Sequence, residues 1–259
     1  MRDLDFNLDY IEDTNTKLKM KNLIDKIEVV LKNHLVEATD FLDPYEIKLS
    51  KSILNQISGI AYIEYGGFEE AERKIIYIFP EYMSFTDIDS KIGYLESDRY
   101  KDLTHRDYLG SILSLGIVRE KMGDILLYND KIIFIVKKDI VNYILMNLTQ
   151  IGNYSISIHE TNQKPVEIPV EDYEEFQVYT SSLRLDNMLS SIYHISRSES
   201  LKKIKSNEVK INWEHITKPT KILSEGDTIS LRGLGRSKIV SLKGKSKKGN
   251  NISIVRKLK

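Results

Sequence analysis

The charges of this chain are partitioned so sharply that it cannot fold as one evenly charged globule. Residues 1–179 hold 20 Lys+Arg against 32 Asp+Glu, a net −12, and residues 180–259 hold 18 against 6, a net +12. Halves of opposite sign imply separate folding units, and 259 residues suffice for two or three domains of ordinary size. A segment of 80 residues at +12 carries the field of a surface that meets phosphate, which repels the acidic part.

Composition excludes several chemistries. Hydrophobic residues are 41% and charged ones 29%, an ordinary globular balance far from disordered or collagenous chains. There is no Cys, which rules out disulfides, iron–sulfur clusters, thiolate zinc and a cysteine nucleophile, and suits a reducing cytoplasm. No apolar run reaches the ~18 residues of a membrane span. The opening MRDLDFNLDYIEDTN is acidic where a signal peptide is basic and then apolar, so a cytoplasmic chain without a membrane partner is expected.

Helical spacing dominates the first stretch. Thr14 or Thr16 can cap a helix whose apolar residues are Leu18, Leu23, Ile27, Val30 and Leu31. Asp43-Pro44 with Glu46 in the first turn starts a second helix, with Ile47, Ile53, Leu54 and Ile57 to bury. Residues 60–65 alternate as a strand, and residues 68–73 read as a short charged helix leading into the apolar run 75–79. From about Lys91 the order becomes strand (92–95), helix (104–115), a hairpin (125–128 and 132–136), helix (137–150) and strand (154–158). The order βαββαβ is that of ferredoxin-like domains, including the RNA-recognition fold, and names no function alone. Its hairpin strands offer only Tyr128 and Phe134 for base stacking, so this sheet is not expected to bind RNA. The expected fold is α+β: a mainly helical α/β N-terminal domain over 1–73, a ferredoxin-like, RNA-recognition-like domain over 74–164, an acidic linker over 165–179 containing Pro165 and Pro169, and a basic domain over 180–259.

The basic domain holds the most specific text in the chain. SSLRLDNMLSSIYHISRSESLKKIKSNEVKIN reads as two helices joined by a tight turn, the first with Leu183, Leu185, Met188, Leu189 and Ile192 as its core stripe. Ser196 and Glu199 have capping-box spacing at the start of the second, where Ser196, Arg197 and Ser198 can seat a phosphate. Leu201 and Ile204 point inward, leaving Arg197, Lys202, Lys203 and Lys205 to solvent. A strand over 209–212, a turn at Gly226-Asp227 and a strand over 229–232 follow, and Lys243, Lys245, Lys247 and Lys248 form a basic loop favoured to track phosphate.

These residues resemble the αL RNA-binding module named after ribosomal small-subunit protein four. Its pattern is matched by Arg184-Leu185-Asp186, Ser196-Arg197, Lys202 to Lys205, Val209-Lys210-Ile211-Asn212 and Gly226-Asp227. The resemblance implies that Arg184, Ser196, Arg197, Ser198, Lys202 and Lys205 bind the backbone of structured RNA, with Asn212, Arg232, Arg236 and Lys238 added from the later strings. An alternative for Arg184 and Asp186 is that they merely pair with each other or cap their helix. Beyond the module, TDFLDPYE, GGFEEAERK, LTHRDYLGSILSLGIVREKMGDI and GDTISLRGLGRSKI resemble the YlmH family of bacterial cytoplasmic proteins, although Tyr45 stands where a basic residue is expected. The resemblance implies association with the large ribosomal subunit and tRNA in translation quality control, supporting alanine addition to nascent chains on stalled subunits, with a link to cell division.

No catalytic, cofactor or metal site is expected. His105-Arg106-Asp107 lacks the other parts of a kinase and reads as a capped helix start. Gly244-Lys245-Ser246 has Ile239 where a phosphate loop needs its first glycine, and the five histidines lack metal-site spacing. Glu69, Glu70, Glu72 and Arg73 read as a solvated or salt-bridged face. Two alternatives to a non-enzymatic RNA binder stay open: an RNA-modifying enzyme that uses the module as a targeting arm, and a scaffold whose acidic N-terminal half holds a division protein.

Overall fold

The computed structural model describes residues 6–87, 90–165, 169 and 172–258, in two compact units spanning residues 1–170 and 171–259. The first carries 20 Lys+Arg against 28 Asp+Glu and the second 18 against 10. The charge division therefore survives as −8 and +8, softened because an acidic strand belongs to the basic unit.

The first unit begins with α1 (Thr14–Asn33), whose N-cap is Asp13 rather than either threonine: its carboxylate accepts from Thr16 N at 2.8 Å. Met20, Leu23, Ile24, Ile27 and Val30 are buried along one stripe, while Leu18 stays exposed. β1 (Glu37–Ala38) leads to α2 (Pro44–Leu54), which starts with a reciprocal capping box: Asp43 accepts from Glu46 N at 3.0 Å and Glu46 accepts from Asp43 N at 2.8 Å. β2 (Ile60–Tyr65) and β3 (Ile75–Pro80) complete an antiparallel sheet of order β1-β3-β2. The expected helix at 68–73 is a turn in the structure.

The second sheet is built from β4 (Ile92–Asp98), β5 (Met122–Leu127), β6 (Lys131–Lys137) and β9 (Ile158–Glu160), in the antiparallel order β5-β6-β4-β9. α3 (His105–Ser114) and α4 (Val141–Asn147) provide the two crossovers of the expected βαββαβ topology. Asp107 accepts from the Thr104 hydroxyl and backbone N–H, so the His-Arg-Asp string is the capped start of α3. Three details depart from expectation. The residues before α4 form a 3₁₀ turn, Lys138–Ile140. β7 (Gln150–Ile151) and β8 (Tyr154–Ser155) pair with each other about Gly152, where φ is +56°. The sheet is closed by β9 instead of by Tyr154.

Both faces of this sheet are covered. One packs Leu95, Ile132, Phe134 and Val136 against Tyr108, Ile112, Val141 and Ile144 of the helices. The other packs Tyr94, Leu126, Ile133 and Ile135 against Ile75 and Tyr77 of β3 and against Phe41 and Phe68 of the loops beside the first sheet. β3 sends Ile76 and Ile78 toward α1 and α2 and its alternate residues toward the second sheet, which explains its unbroken apolar run. The boundary expected at 73/74 is therefore corrected, since β3 pairs with β2 over six residues and belongs to the first sheet.

Arg73 ties the segment at Phe41 to the start of β5, and Arg119 braces the start of β5 locally. Arg73 donates to Met122 O at 3.1 Å and Phe41 O at 2.9 Å, and Arg119 donates to Met122 O at 2.7 Å and Gly123 O at 3.1 Å. Burial, with Arg73 nearby, pushes the Arg119 guanidinium down to about 10. Asp124 accepts from Glu72 N and Arg73 N, while burial raises its carboxyl above the ordinary value. Among these groups of the charged 69–73 cluster, Arg73 and the Glu72 backbone are thus used in packing.

The second unit is one antiparallel sheet covered by two helices. Its elements are β10 (Tyr173–Thr180), α5 (Leu185–Tyr193), α6 (Arg197–Lys205), β11 (Val209–Ile211), β12 (Glu214–His215), β13 (Thr228–Leu231), β14 (Gly235–Lys245) and β15 (Asn251–Leu258). The order is β10-β15-β14-β13-β11-β12, and α5 and α6 bury Leu185, Met188, Leu189, Ile192 and Ile204 against Val209, Ile229, Leu231, Ile239 and Val255. β10 corrects the expected linker at 165–179: Tyr173–Thr180 pairs along its whole length with β15. Its alternation, with Phe176, Val178 and Thr180 inward, lies hidden among the acidic residues on which the linker reading rested.

Candidate nucleic-acid interface

The helix pair of the second unit gathers six of the ten expected RNA-binding residues. Arg184 is the N-cap of α5, held in extended conformation because the chain pairs there with Ile222: Leu185 N donates to Lys221 O at 2.8 Å and Leu223 N to Leu183 O at 2.9 Å. One turn in, Asp186 is almost wholly buried, with 1% of its side chain exposed. It accepts from Arg184 Nε at 3.1 Å and Nη2 at 3.0 Å, a bidentate fork, and from Arg197 Nη2 at 3.1 Å. Burial opposes the Asp186 charge, but hydrogen bonds from Arg184 and then Arg197 hold its carboxyl below the ordinary value.

One buried carboxylate therefore fixes two guanidinium groups whose outer edges stay in water, Arg184 at 35% and Arg197 at 61% side-chain exposure. The pairing weighed as an alternative to RNA binding is present, and it leaves both guanidinium groups partly exposed. Arg197 also begins α6, where Ser196 Oγ accepts from Glu199 N at 3.1 Å and lies 2.9 Å from Ser198 Oγ. Ser198, Lys202 and Lys205 are exposed and fall four and three residues apart, on one face of α6. Lys203, by contrast, pairs with Glu208 at 3.1 Å. The open cations thus run from the α5 corner along α6.

The other four expected residues lie elsewhere. Asn212 works for the fold: its amide donates to Asp227 Oδ1 at 2.8 Å and its carbonyl accepts from Thr228 N at 2.9 Å, closing the turn that the Asn and Gly-Asp of the motif frame. Arg232 is exposed just after β13, with its N–H bonded to Glu208 O beyond the end of α6. Arg236 and Lys238 alternate with the buried Ser237 and Ile239, so they face away from the helices. Arg236 lies over the Trp213 ring at 5.2 Å, and Lys238 is paired in register with Arg256. Sequence reasoning missed Arg256, which salt-bridges Glu175 at 2.7 Å and covers the Tyr173 ring at 4.5 Å. The signal was the two-residue alternation of Ile252 to Leu258.

The middle domain keeps its sheet covered on both faces. RNA-recognition sheets stack bases on the face away from their helices. Here that face carries Tyr94, Leu126, Ile133 and Ile135, each at most 7% exposed beneath the first sheet. Stacking on it requires separating the two sheets.

A capped helix pair on a sheet, with arginines clamped at its corner and lysines along its open side, defines an RNA-binding module of the αL class. Family comparisons agree. Residues 183–229 match the S4 domain, residues 15–83 the domain described as YlmH, N-terminal, and residues 84–165 the putative RNA-binding domain in YlmH. The ribosome-associated protein quality control protein P2 of Bacillus subtilis is 33% identical over 224 residues, covering 85% of this chain and 86% of that protein. The chain belongs to the YlmH family. A solved structure, the cell division protein ylmH from Streptococcus pneumoniae, is similar at a TM-score of 0.50 and 25% identity, covering 61% of this chain and 93% of that one. Among the described residues, no helix is long and apolar enough to cross a membrane.

Proposed function

We propose that the protein is a non-catalytic RNA-binding factor of ribosome-associated quality control. It holds ribosomal RNA and tRNA on the large subunit while alanine is added to the stalled chain, and it acts in the cytoplasm. The observation that carries this reading is the Asp186 clamp, which presents Arg184 and Arg197 beside the open cations Lys202 and Lys205. Guanidinium groups fixed in advance meet phosphate oxygens at a low entropic cost, and backbone contacts of this type grip structured RNA without reading bases. The Bacillus subtilis relative, named for ribosome-associated quality control, supports the ribosomal address. The first unit, at −8, is suited to a protein surface more than to RNA.

The test is a salt titration of RNA binding. Each neutralised phosphate contributes about 0.7–0.9 to the slope of log affinity against log salt. Replacing Arg197, Lys202 and Lys205 by Ala, with Arg184 left to hold Asp186, is expected to lower the slope by about 2–3. An unchanged slope contradicts the assignment. Incubation with ribosomal RNA followed by nucleoside mapping is expected to show no protein-dependent modification.

A further inference from the structure

The β14–β15 hairpin ends in a segment that the helix-pair site does not use and that lies beyond the residues matched by the S4 domain. Lys243, Lys245, Lys247 and Lys248 are all exposed, fall within six residues and have no acidic residue among them. None makes a salt bridge with a described residue. Glu225, beside the base of the segment, accepts from the backbone N–H of Leu242 at 3.0 Å.

The segment is nonetheless shaped. Ser246 N donates to Asn250 O at 2.7 Å, Gly249 N to Ser246 O at 2.8 Å and Asn250 N to Ser246 Oγ at 3.1 Å, closing a turn with Gly249 at φ +81°. Register shifts between Ile239 and Ser241, and between Leu242 and Lys245, add twist to the arm. β10 pairs with β15 as far as Thr180 and Asn251, where Asn251 Nδ2 also donates to Thr180 O at 3.3 Å, so the base of the arm is braced. Four like charges on a braced turn repel one another, and a polyanion relieves that repulsion while releasing its own condensed counterions.

We infer that this hairpin is a second RNA contact, an arm that grips the phosphate backbone of a structured RNA independently of the helix pair. The inference rests on the RNA-binding reading above. Its test measures binding of the full chain to a labelled RNA stem–loop of about 20 base pairs across a salt series. Lys247→Ala with Lys248→Ala removes two arm charges. Lys48→Ala with Lys101→Ala, two exposed lysines of the first unit, removes the same charge elsewhere. Loss of two phosphate contacts lowers the salt slope by about 1.5, a loss of about 30-fold in affinity near 0.1 M salt. The arm variant is expected to show that loss, the control variant to bind within twofold of wild type, and the arm and helix-pair losses to multiply when combined.

Equal losses in the arm and control variants overturn the inference, because net charge alone then explains binding. An arm variant that binds like wild type, while the helix-pair variant is weakened, also overturns it and leaves the RNA-binding reading standing. If neither the arm nor the helix-pair variant is weakened, both fail together.

Discussion

Asp186 is a buried carboxylate that accepts hydrogen bonds from two partly exposed arginines, Arg184 and Arg197. Its side chain is only 1% exposed, yet it holds two cationic forks in place. Asp186→Asn keeps the volume and removes the charge, so RNA affinity is expected to fall about tenfold while the variant still folds cooperatively. Because its folded carboxyl is held below the ordinary 3.8, the unfolded chain binds more protons in that range. The stability that this charge contributes is therefore present above about pH 4 and lost as acid protonates the folded carboxyl. The gap in urea midpoint between wild type and Asp186→Asn is expected at pH 7 and should close toward pH 3; a constant gap contradicts the charge as its cause.

Glu120 makes a parallel case in the first unit. Burial works against its charge, but Lys19, its own backbone and Asn15 bring the carboxyl down to about 2 from 4.5. Glu120→Gln should cost stability at pH 7 and progressively less as pH falls from about 4.5 toward 2, read by the same midpoints. The two kinds of residue differ in legibility. Arg184 and Arg197 stand out in the sequence because they match the motif of the αL module, whereas Lys19 and Glu120, a hundred residues apart and bridged at 2.8 Å, are joined only by tertiary packing.

At the scale of elements, close approach decides what is allowed. Gly93 lies on β4 where α4 crosses, and a Cβ built there falls 2.3 Å from Val141 Cγ2. Gly93→Ala is expected to destabilise by about 1–3 kcal/mol, and Val141→Ala should be milder in that background than alone, as a double-mutant cycle in urea would show. Additive losses contradict the contact. Several helix starts were legible because capping is local: Asp43-Pro44 with Glu46 and Thr104 with Asp107 form as expected and Ser196 accepts from Glu199 N, whereas α1 is capped by Asp13 and not by either expected threonine. Strands that depend on distant partners were not. β10 reads as an acidic linker until β15, some 80 residues later, supplies Arg256 opposite Glu175. β9 likewise gains its place from β4, not from its own three residues.

For the molecule as a whole, the family boundary at 83/84 and the packing boundary disagree in an informative way. The middle sheet completes its core against the first sheet, through Phe41, Phe68, Ile75 and Tyr77 and the Arg73 latch. A fragment of residues 84–165 exposes Tyr94, Leu126, Ile133 and Ile135, and is expected to bind hydrophobic dye and unfold far below a fragment of residues 6–165. Equal melting temperatures contradict that account. The charge division was plain from the sequence, since composition needs no fold. The covered sheet face was not, because an apolar strand reads alike whether one face or both are buried.

The most direct test of the RNA-binding account is sedimentation of the full chain from a bacterial lysate through sucrose gradients at low and high salt, beside the Arg197→Ala/Lys202→Ala/Lys205→Ala variant. The account predicts that the wild-type chain travels with free large ribosomal subunits at low salt, leaves them at high salt, and that the variant stays at the top. Wild type at the top in every condition, or a variant that travels with the subunits as wild type does, contradicts it.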